Sequence, residues 1–342
     1  MLITGVDESR HPGMTQVGME SGSEARRSCD ADPKIVYVLP ASVNAVAAGR
    51  LVVSAIMTST IDPSQLPTEE DAAFYRTHGY WISPPILPGQ LLDMAERGMA
   101  RLYAGDIDRP LPDGRRRQGW TPEHGDILRK NDYSSLLVDE LARLVRYPLI
   151  AACAARLVGV DEIRLWHDQL LYKPVDRPDD RARGANVGWH TDRQYWMTCS
   201  SQDMLTAWVP FHDVDAAGGA ITFVEGSHRW EAGDGLDFFD QDLSTLDWLR
   251  EDQEVELVPA EVHRRAITFH HCRTIHGSGP NHSTAPRRSI AIHLQPGDNH
   301  FVQHTIPGGR VSSHGNDILV RRTAEGTPDY ADPTVCPVLW SR

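Results

Sequence analysis

The chain has 342 residues, 40% of them hydrophobic and 24% charged, with a formal net charge of −13 at pH 7. That length and apolar content can bury a core in one large domain or two small ones. The acidic balance excludes a phosphate-binding surface for nucleic acid, and the one basic cluster, Arg115-Arg116-Arg117, reads as a solvated loop.

Residues 1–33 are rich in Gly, Ser, Glu, Asp and Arg without periodicity, the composition of a disordered segment. The apolar run 35–57 is broken by Pro40, Asn44 and Arg50. It falls short of the ~18 uninterrupted apolar residues of a membrane span, and it lacks the charged start of a signal peptide. Met57-Thr-Ser-Thr60 reads like an ordinary protein start. Residues 1–56 are therefore expected to be a disordered or non-native extension, with a genuine appended segment as the alternative. Cys29, Cys153, Cys199, Cys272 and Cys336 are odd in number and show no C-x-x-C spacing. They read as reduced thiols of a cytoplasmic protein rather than a disulfide framework.

Thr68 starts a helix as its N-cap, with acids in the first turn and Asp71 at a capping-box position, and the helix ends near Gly79. Residues 80–83 read as a short strand, and a second helix opens at Pro88 and runs to about residue 104. Residues 105–132 read as polar loop. Residues 134–156 carry apolar side chains at helical spacing, as one or two packed helices. This front section, about 66–160, is mostly helical and carries no motif of its own.

From Glu162 the pattern changes to short alternating strands separated by Gly, Pro and Asp. Strands are expected at 164–173, 204–211, 220–224, 266–271 and 288–294. Many short antiparallel strands at this spacing point to a sandwich or jelly roll. Residues 176–186 form a charged connection, and 232–255 an acidic insertion read as a lid or a surface helix pair. The simplest organisation of 57–342 is a single domain, mainly β with a helical buttress. Its core covers about 162–296 and its C-terminal tail 297–342.

The chemistry concentrates in Val187-Gly-Trp-His-Thr-Asp-Arg-Gln-Tyr-Trp196 and His276-Gly-Ser-Gly-Pro-Asn281. On an extended strand His190 and Asp192, at i and i+2, point to the same side and can share one metal, with His276 as third ligand. Two histidines and one carboxylate leave the opposite face of the metal open, which suits non-haem Fe(II) and oxygen better than a closed structural zinc site. A His-x-Asp triplet alone is weak, because His124-Gly-Asp126 repeats it in what reads as a surface loop without partners. His270 or His271 could replace His276, but only one of the two can face the metal side of a strand. His167, His212, His228 and His293 read as structural or pocket-wall residues.

The last strand offers an independent test. Ile290, Ile292 and Leu294 share one face with Arg288, while Arg287, Ser289, Ala291 and His293 share the other. Arg287, eleven residues after His276, would line a cavity on that small, polar face. A buried guanidinium needs an anion, either a ligand carboxylate or an ordinary Asp or Glu.

Taken together, Phe74-Tyr-Arg-Thr-His-Gly-Tyr80, Trp189-His-Thr-Asp192, Trp208-Val-Pro-Phe-His-Asp-Val214, Gly218-Gly-Ala220, Gly226-Ser-His228, His276-Gly-Ser-Gly-Pro-Asn281 and Arg287 carry a resemblance. The chain resembles the phytanoyl-CoA dioxygenase family of Fe(II)/2-oxoglutarate-dependent oxygenases over about residues 66–340. The resemblance implies a double-stranded β-helix (a cupin-like jelly roll), iron on His190, Asp192 and His276, and 2-oxoglutarate and O2 as co-substrates. It places the distal carboxylate of 2-oxoglutarate on Arg287 beside Ser278, with Lys173 near it and Trp208 in the pocket wall. A lysine at a strand end is otherwise a solvated side chain, and a tryptophan plain core. The family commonly has proline where this chain has Glu225. Related halogenases replace the metal carboxylate with a small residue, so Asp192 favours hydroxylation.

The expected function is oxidation of an unactivated C–H bond of a small organic molecule, with release of succinate and CO2. Arg193, Gln194, Tyr195 and Trp196 lie just past the ligand pair and could meet the substrate, with Trp196 either an apolar platform or core. Two alternatives stand. One is a non-catalytic sensor that binds metal and 2-oxoglutarate. The other is a cupin-like hydrolase or isomerase using zinc or manganese at the same triad. The expected partner is a small molecule rather than nucleic acid or membrane, for a monomer or homodimer.

Overall fold

The computed structural model describes residues 61–115, 124–176, 186–230, 243, 254–306 and 308–342. The N-terminal extension 1–56, Cys29, Arg116-Arg117 and most of the segments 176–186 and 232–255 lie outside the described residues.

Helix α1 (Glu69–His78) begins where Thr68 Oγ1 accepts the Asp71 N–H and the Asp71 carboxylate accepts the Thr68 N–H, satisfying two orphan donors at once. It ends at Gly79, whose φ of 82° reverses the chain into strand β1 (Tyr80–Ile82). Helix α2 (Gly89–Tyr103) buries Leu92, Ala95, Met99 and Leu102, a stripe at helical spacing.

Next comes a departure from expectation: Arg129–Asp132 is a strand, β2, where loop was expected. Its four polar residues show no strand pattern, and only pairing with a longer neighbour makes them one. Asp126, expected to stand alone in a loop, accepts a hydrogen bond from Tyr172 Oη at 2.7 Å. The helical stretch that follows is three pieces rather than one or two: α3 (Ser134–Leu137), α4 (Asp139–Val145) and α5 (Pro148–Val158).

The β elements are β3 (Glu162–Lys173), β4 (Val187–His190), β5 (Leu205–Pro210), β6 (Thr222–Val224), β7 (Leu257–Pro259), β8 (Thr268–His271), β9 (His276–Ser278) and β10 (Arg287–Pro296). A short helix α6 (Asn316–Leu319) and β11 (Val338–Ser341) close the chain. The larger sheet runs β1-β8-β5-β10-β3-β11, with β2 also on β3, and the smaller runs β4-β9-β6-β7. Among the described residues every strand pairing in the two sheets is antiparallel, the two-sheet arrangement of a jelly roll.

Strand alternation sorts the side chains of the larger sheet between two cores. Ile290, Ile292 and Leu294 of β10 join Leu165, Phe269 and the helices in the main cluster. Trp208 and Ala291 face the other way and pack with Tyr80, Ile221 and Phe223, joining the larger sheet to the smaller. Arg287, Ala291 and His293 share that second face and line a pocket with His190, Asp192 and His276.

Candidate active site

His190 ends β4 and His276 begins β9, and the two are register partners across the antiparallel pair. Their ring centroids are 4.2 Å apart. The chain then leaves the strand. Asp192 is the first residue of a 3-10 turn, Asp192–Tyr195, in which Thr191 Oγ1 accepts the Gln194 N–H and Gln194 Oε1 accepts the Thr191 N–H. The capped turn, rather than i, i+2 alternation along one strand, brings the carboxylate back beside the histidines. One ligand atom from each of His190, Asp192 and His276 lies within 4.8 Å of the others, and all three residues are buried. Such a set could hold one metal ion.

Both imidazoles are oriented by backbone. His190 Nδ1 meets the Gly188 carbonyl and His276 Nδ1 the Thr274 carbonyl, each at 2.9 Å. An N–H on Nδ1 leaves the Nε2 lone pair of each ring facing the pocket, the arrangement that fixes the tautomer of a metal-binding histidine. Burial lowers the pKa of His190 to about 4, with Asp192 opposing the shift, so the ring is neutral at ordinary pH. For Asp192 burial pushes upward, but the His270 hydrogen bond and the nearby His276 and His293 rings hold the carboxyl well below its usual range.

Elsewhere in the same pocket stands Arg287, 3% exposed. Its Nη1 donates to the Gly219 carbonyl and to Ser278 Oγ, the latter at 2.8 Å, while the buried Nε has no partner among the described residues. Burial alone lowers its pKa, to about 10; no carboxylate enters. The guanidinium carbon lies 5.4 Å from the Trp208 ring centroid, and Trp208 Nε1 donates to Ser289 Oγ at 3.0 Å. Trp208 is both pocket wall and core.

Lys173 is fully buried, not a solvated strand end. Its Nζ donates to Ser278 Oγ at 2.6 Å, to the Ser278 carbonyl at 2.8 Å and to the Gly279 carbonyl. Ser278 Oγ in turn donates to the Gly219 carbonyl at 3.0 Å. One donor and two acceptor positions are thus all in use, and Lys173 braces Ser278 and Arg287 from behind.

The segment after Asp192 is a different matter. Trp196 is 2% exposed and belongs to the main core cluster, so it is not an apolar platform for substrate. Arg193 donates to the Trp196 carbonyl at 2.7 Å and the Cys199 carbonyl at 3.0 Å, holding its own loop. Gln194 closes the capping box. Tyr195, 45% exposed, keeps its ring 6.0 Å from that of His190 at the rim. None of these four lines the pocket.

The wall includes Lys130, Gln169 and Thr206, which sequence reasoning missed, beside His293, read as a pocket-wall residue, and His270, weighed as an alternative ligand. His270 faces the carboxylate, its Nε2 3.2 Å from Asp192 Oδ2, whereas His271 turns towards Asp203. Gln169 was legible in principle, since His167, Gln169, Leu171 and Lys173 alternate along one face of β3. Lys130 was not, because its strand carries no pattern. Burial lowers the Lys130 pKa to about 8, against the opposing effect of Asp132 and Asp192.

This geometry can be set beside known proteins. The family model for phytanoyl-CoA dioxygenase (PhyH) matches residues 75–289. A probable alpha-ketoglutarate-dependent hypophosphite dioxygenase of Stutzerimonas stutzeri is 31% identical over 172 residues, 48% of this chain and 56% of that protein. The match thus spans little more than half the length of that relative. The structure of SnoN, an epimerase of nogalamycin biosynthesis, in complex with Fe3+, alpha-ketoglutarate and nogalamycin RO, is 25% identical with a TM-score of 0.58. That likeness covers 79% of this chain and 98% of the epimerase. SnoK, a non-haem alpha-ketoglutarate-dependent carbocyclase of the same biosynthesis, shares the fold at 23% identity and a TM-score of 0.54, over 69% of this chain and 86% of its own. Among the described residues no helix is long and apolar enough to cross a membrane. Because the family model spans more than half the chain, in the region that carries both histidines, Asp192 and Arg287, the protein belongs to the phytanoyl-CoA dioxygenase family of iron- and 2-oxoglutarate-dependent oxygenases.

Proposed function

We propose that this protein is an Fe(II)- and 2-oxoglutarate-dependent dioxygenase that hydroxylates, or otherwise oxidises, a C–H bond of a small organic molecule, releasing succinate and CO2. One observation carries the reading: a buried His-Asp-His set and a buried arginine that no carboxylate among the described residues neutralises line the same pocket.

The residues fit both groups. Two neutral imidazole nitrogens and one carboxylate oxygen are the donors that non-haem Fe(II) takes while keeping positions open. The orphaned Arg287 Nε is a donor whose hydrogen bond a bound carboxylate would accept. When bound, iron with 2-oxoglutarate supplies the oxidising power for C–H cleavage.

The protein's own part is orientation and exclusion of water. His190, Asp192 and His276 would hold the metal, the two rings locked by Gly188 and Thr274. Arg287, braced by Ser278 and backed by Trp208, would take the far carboxylate of 2-oxoglutarate and so fix which end meets the metal. Leu128, Leu171, Val187 and Ile221 make the rest of the wall apolar, while Lys130 and Gln169 add polar groups that a substrate can meet. The carboxylate of Asp192 supports hydroxylation over halogenation.

The test is succinate release by anaerobically purified protein given Fe(II), 2-oxoglutarate and O2, with Asp192→Ala as control. Succinate in the wild type that vanishes in the variant is the expected result. Metal and 2-oxoglutarate binding without succinate, across a panel of small substrates, would point to a sensor. Metal binding indifferent to 2-oxoglutarate would point to a hydrolase or isomerase.

A further inference from the structure

One cross-strand row of the larger sheet faces Asp192. Strand β10 pairs His293 with His167 on β3 and with Thr206 on β5, and β5 pairs Thr206 with His270 on β8. All four residues are buried. The row and the carboxylate are linked by hydrogen bonds whose directions follow from chemistry. An ionised carboxylate only accepts. Thr206 Oγ1 therefore donates its single hydrogen to Asp192 Oδ2 and uses a lone pair towards His293 Nδ1, 2.7 Å away, which must donate. The hydrogen of the His270 contact sits on Nε2, pointing at the same Oδ2 from 3.2 Å. Two donors thus converge on one carboxylate oxygen. The other, Oδ1, lies 3.8 Å from His276 Nε2, on the side of the histidine pair.

We propose that Thr206 and His270 are positioning residues that occupy Oδ2 of Asp192 and thereby present Asp192 to the metal through Oδ1 alone. The proposal rests on the functional reading above and concerns how the protein keeps a coordination position free. On an ion that also took a chelating co-substrate, room for a further ligand would be scarce. A carboxylate free to swing would fill that room with its second oxygen. Donors fixed on a neighbouring sheet prevent the swing, because the Thr206 and His270 backbones are register partners and cannot shift independently. Partners of this kind set the orientation and basicity of a metal ligand. His293 extends the arrangement by fixing which way the Thr206 hydroxyl points.

The experiment uses the full chain and Co(II) as an oxygen-stable probe, read by affinity and by visible absorption, which reports coordination number. Thr206→Val and His270→Leu each remove one donor at nearly constant shape; Thr206→Ser and His270→Gln keep it. The expected result is Co(II) affinity weakened by about 10–100-fold with an altered absorption band in the first pair, and restoration of both in the second. Equal affinity and an identical spectrum in Thr206→Val and His270→Leu would overturn the proposal. Weakening that the conservative variants fail to restore would overturn it too, by showing general damage to the sheet. If Thr206→Val does not fold, judged by circular dichroism, the His270 pair decides. Failure of the wild type to bind Co(II), or tight binding by Asp192→Ala, would instead sink the metal assignment, so the two failures are distinguishable.

Discussion

Arg287 and Lys173 stand opposite one another on β10 and β3, and both donate to the hydroxyl of Ser278. Two buried basic side chains in register, with no carboxylate between them among the described residues, form an arrangement that folding alone does not favour. It becomes favourable when an anion arrives. Loss of Arg287 should therefore cost co-substrate binding and spare the metal. For Arg287→Met, the expected rise in the 2-oxoglutarate Kd is about 10–100-fold, the worth of charge-assisted hydrogen bonds of ~1.5–3 kcal/mol. Anaerobic titration calorimetry reads this directly, and Co(II) affinity serves as the internal control. An unchanged Kd would remove Arg287 from the co-substrate site.

Lys173 gives the pair a pH signature. Burial, and then the neighbouring Arg287, lower its pKa to about 6, whereas the unfolded chain holds a lysine near ~10.4. Between those values the unfolded state binds a proton that the folded state does not, so stability rises with pH across the window and is flat below it. The urea midpoint of the metal-free protein should climb from pH 7 to pH 9, and Lys173→Met should flatten that climb. Equal slopes in the two proteins would show that Lys173 is not depressed.

Much of this site was legible because strand alternation survives folding unchanged. The separation of Ile290, Ile292 and Leu294 from Arg287, Ala291 and His293 needs only a period of two. The same period required that only one of His270 and His271 face the carboxylate, and lateral packing decided for His270. The α1 cap was legible because Thr68 and Asp71 settle it between themselves. What alternation cannot supply is lateral register. Thr206 meets His270 and His293 only because three strands, far apart in sequence, align at that row. Strand β2 is likewise made by its neighbour, so Lys130 had no signal of its own. The turn at Thr191 broke the assumed strand after His190. Proximity in sequence also misled: Trp196, close to Asp192 along the chain, packs into the main core cluster and does not line the pocket.

Gly219 should prove sensitive for reasons of space and backbone together. Its φ of +71° is left-handed, and a Cβ there would stand 3.0 Å from the carbonyl oxygens of both Gly279 and Pro280. Its own carbonyl accepts from Arg287 and Ser278. Gly219→Ala should cost roughly 1–2 kcal/mol in backbone strain and displace the acceptor that aligns the guanidinium. Denaturant unfolding and the 2-oxoglutarate Kd should worsen together while Co(II) affinity holds. A variant as stable as the wild type would mean that the loop moves without cost.

The contrast between two adjacent aromatics separates core from rim. Trp196, 2% exposed, sets its ring edge against His293 at a centroid distance of 5.0 Å and towards His167 at 6.2 Å. Trp196→Ala removes a large buried side chain, a change that costs ~3–5 kcal/mol, a large share of a marginal stability of about 5–15 kcal/mol. Tyr195, 45% exposed at the rim, should leave stability within ~0.5 kcal/mol when changed to Ala. Its effect, if any, should fall on the KM for the substrate. Thermal unfolding of the two variants side by side checks the assignment. A stable Trp196→Ala protein whose only defect is a raised substrate KM would return Trp196 to the substrate wall, contrary to the packing that surrounds it here.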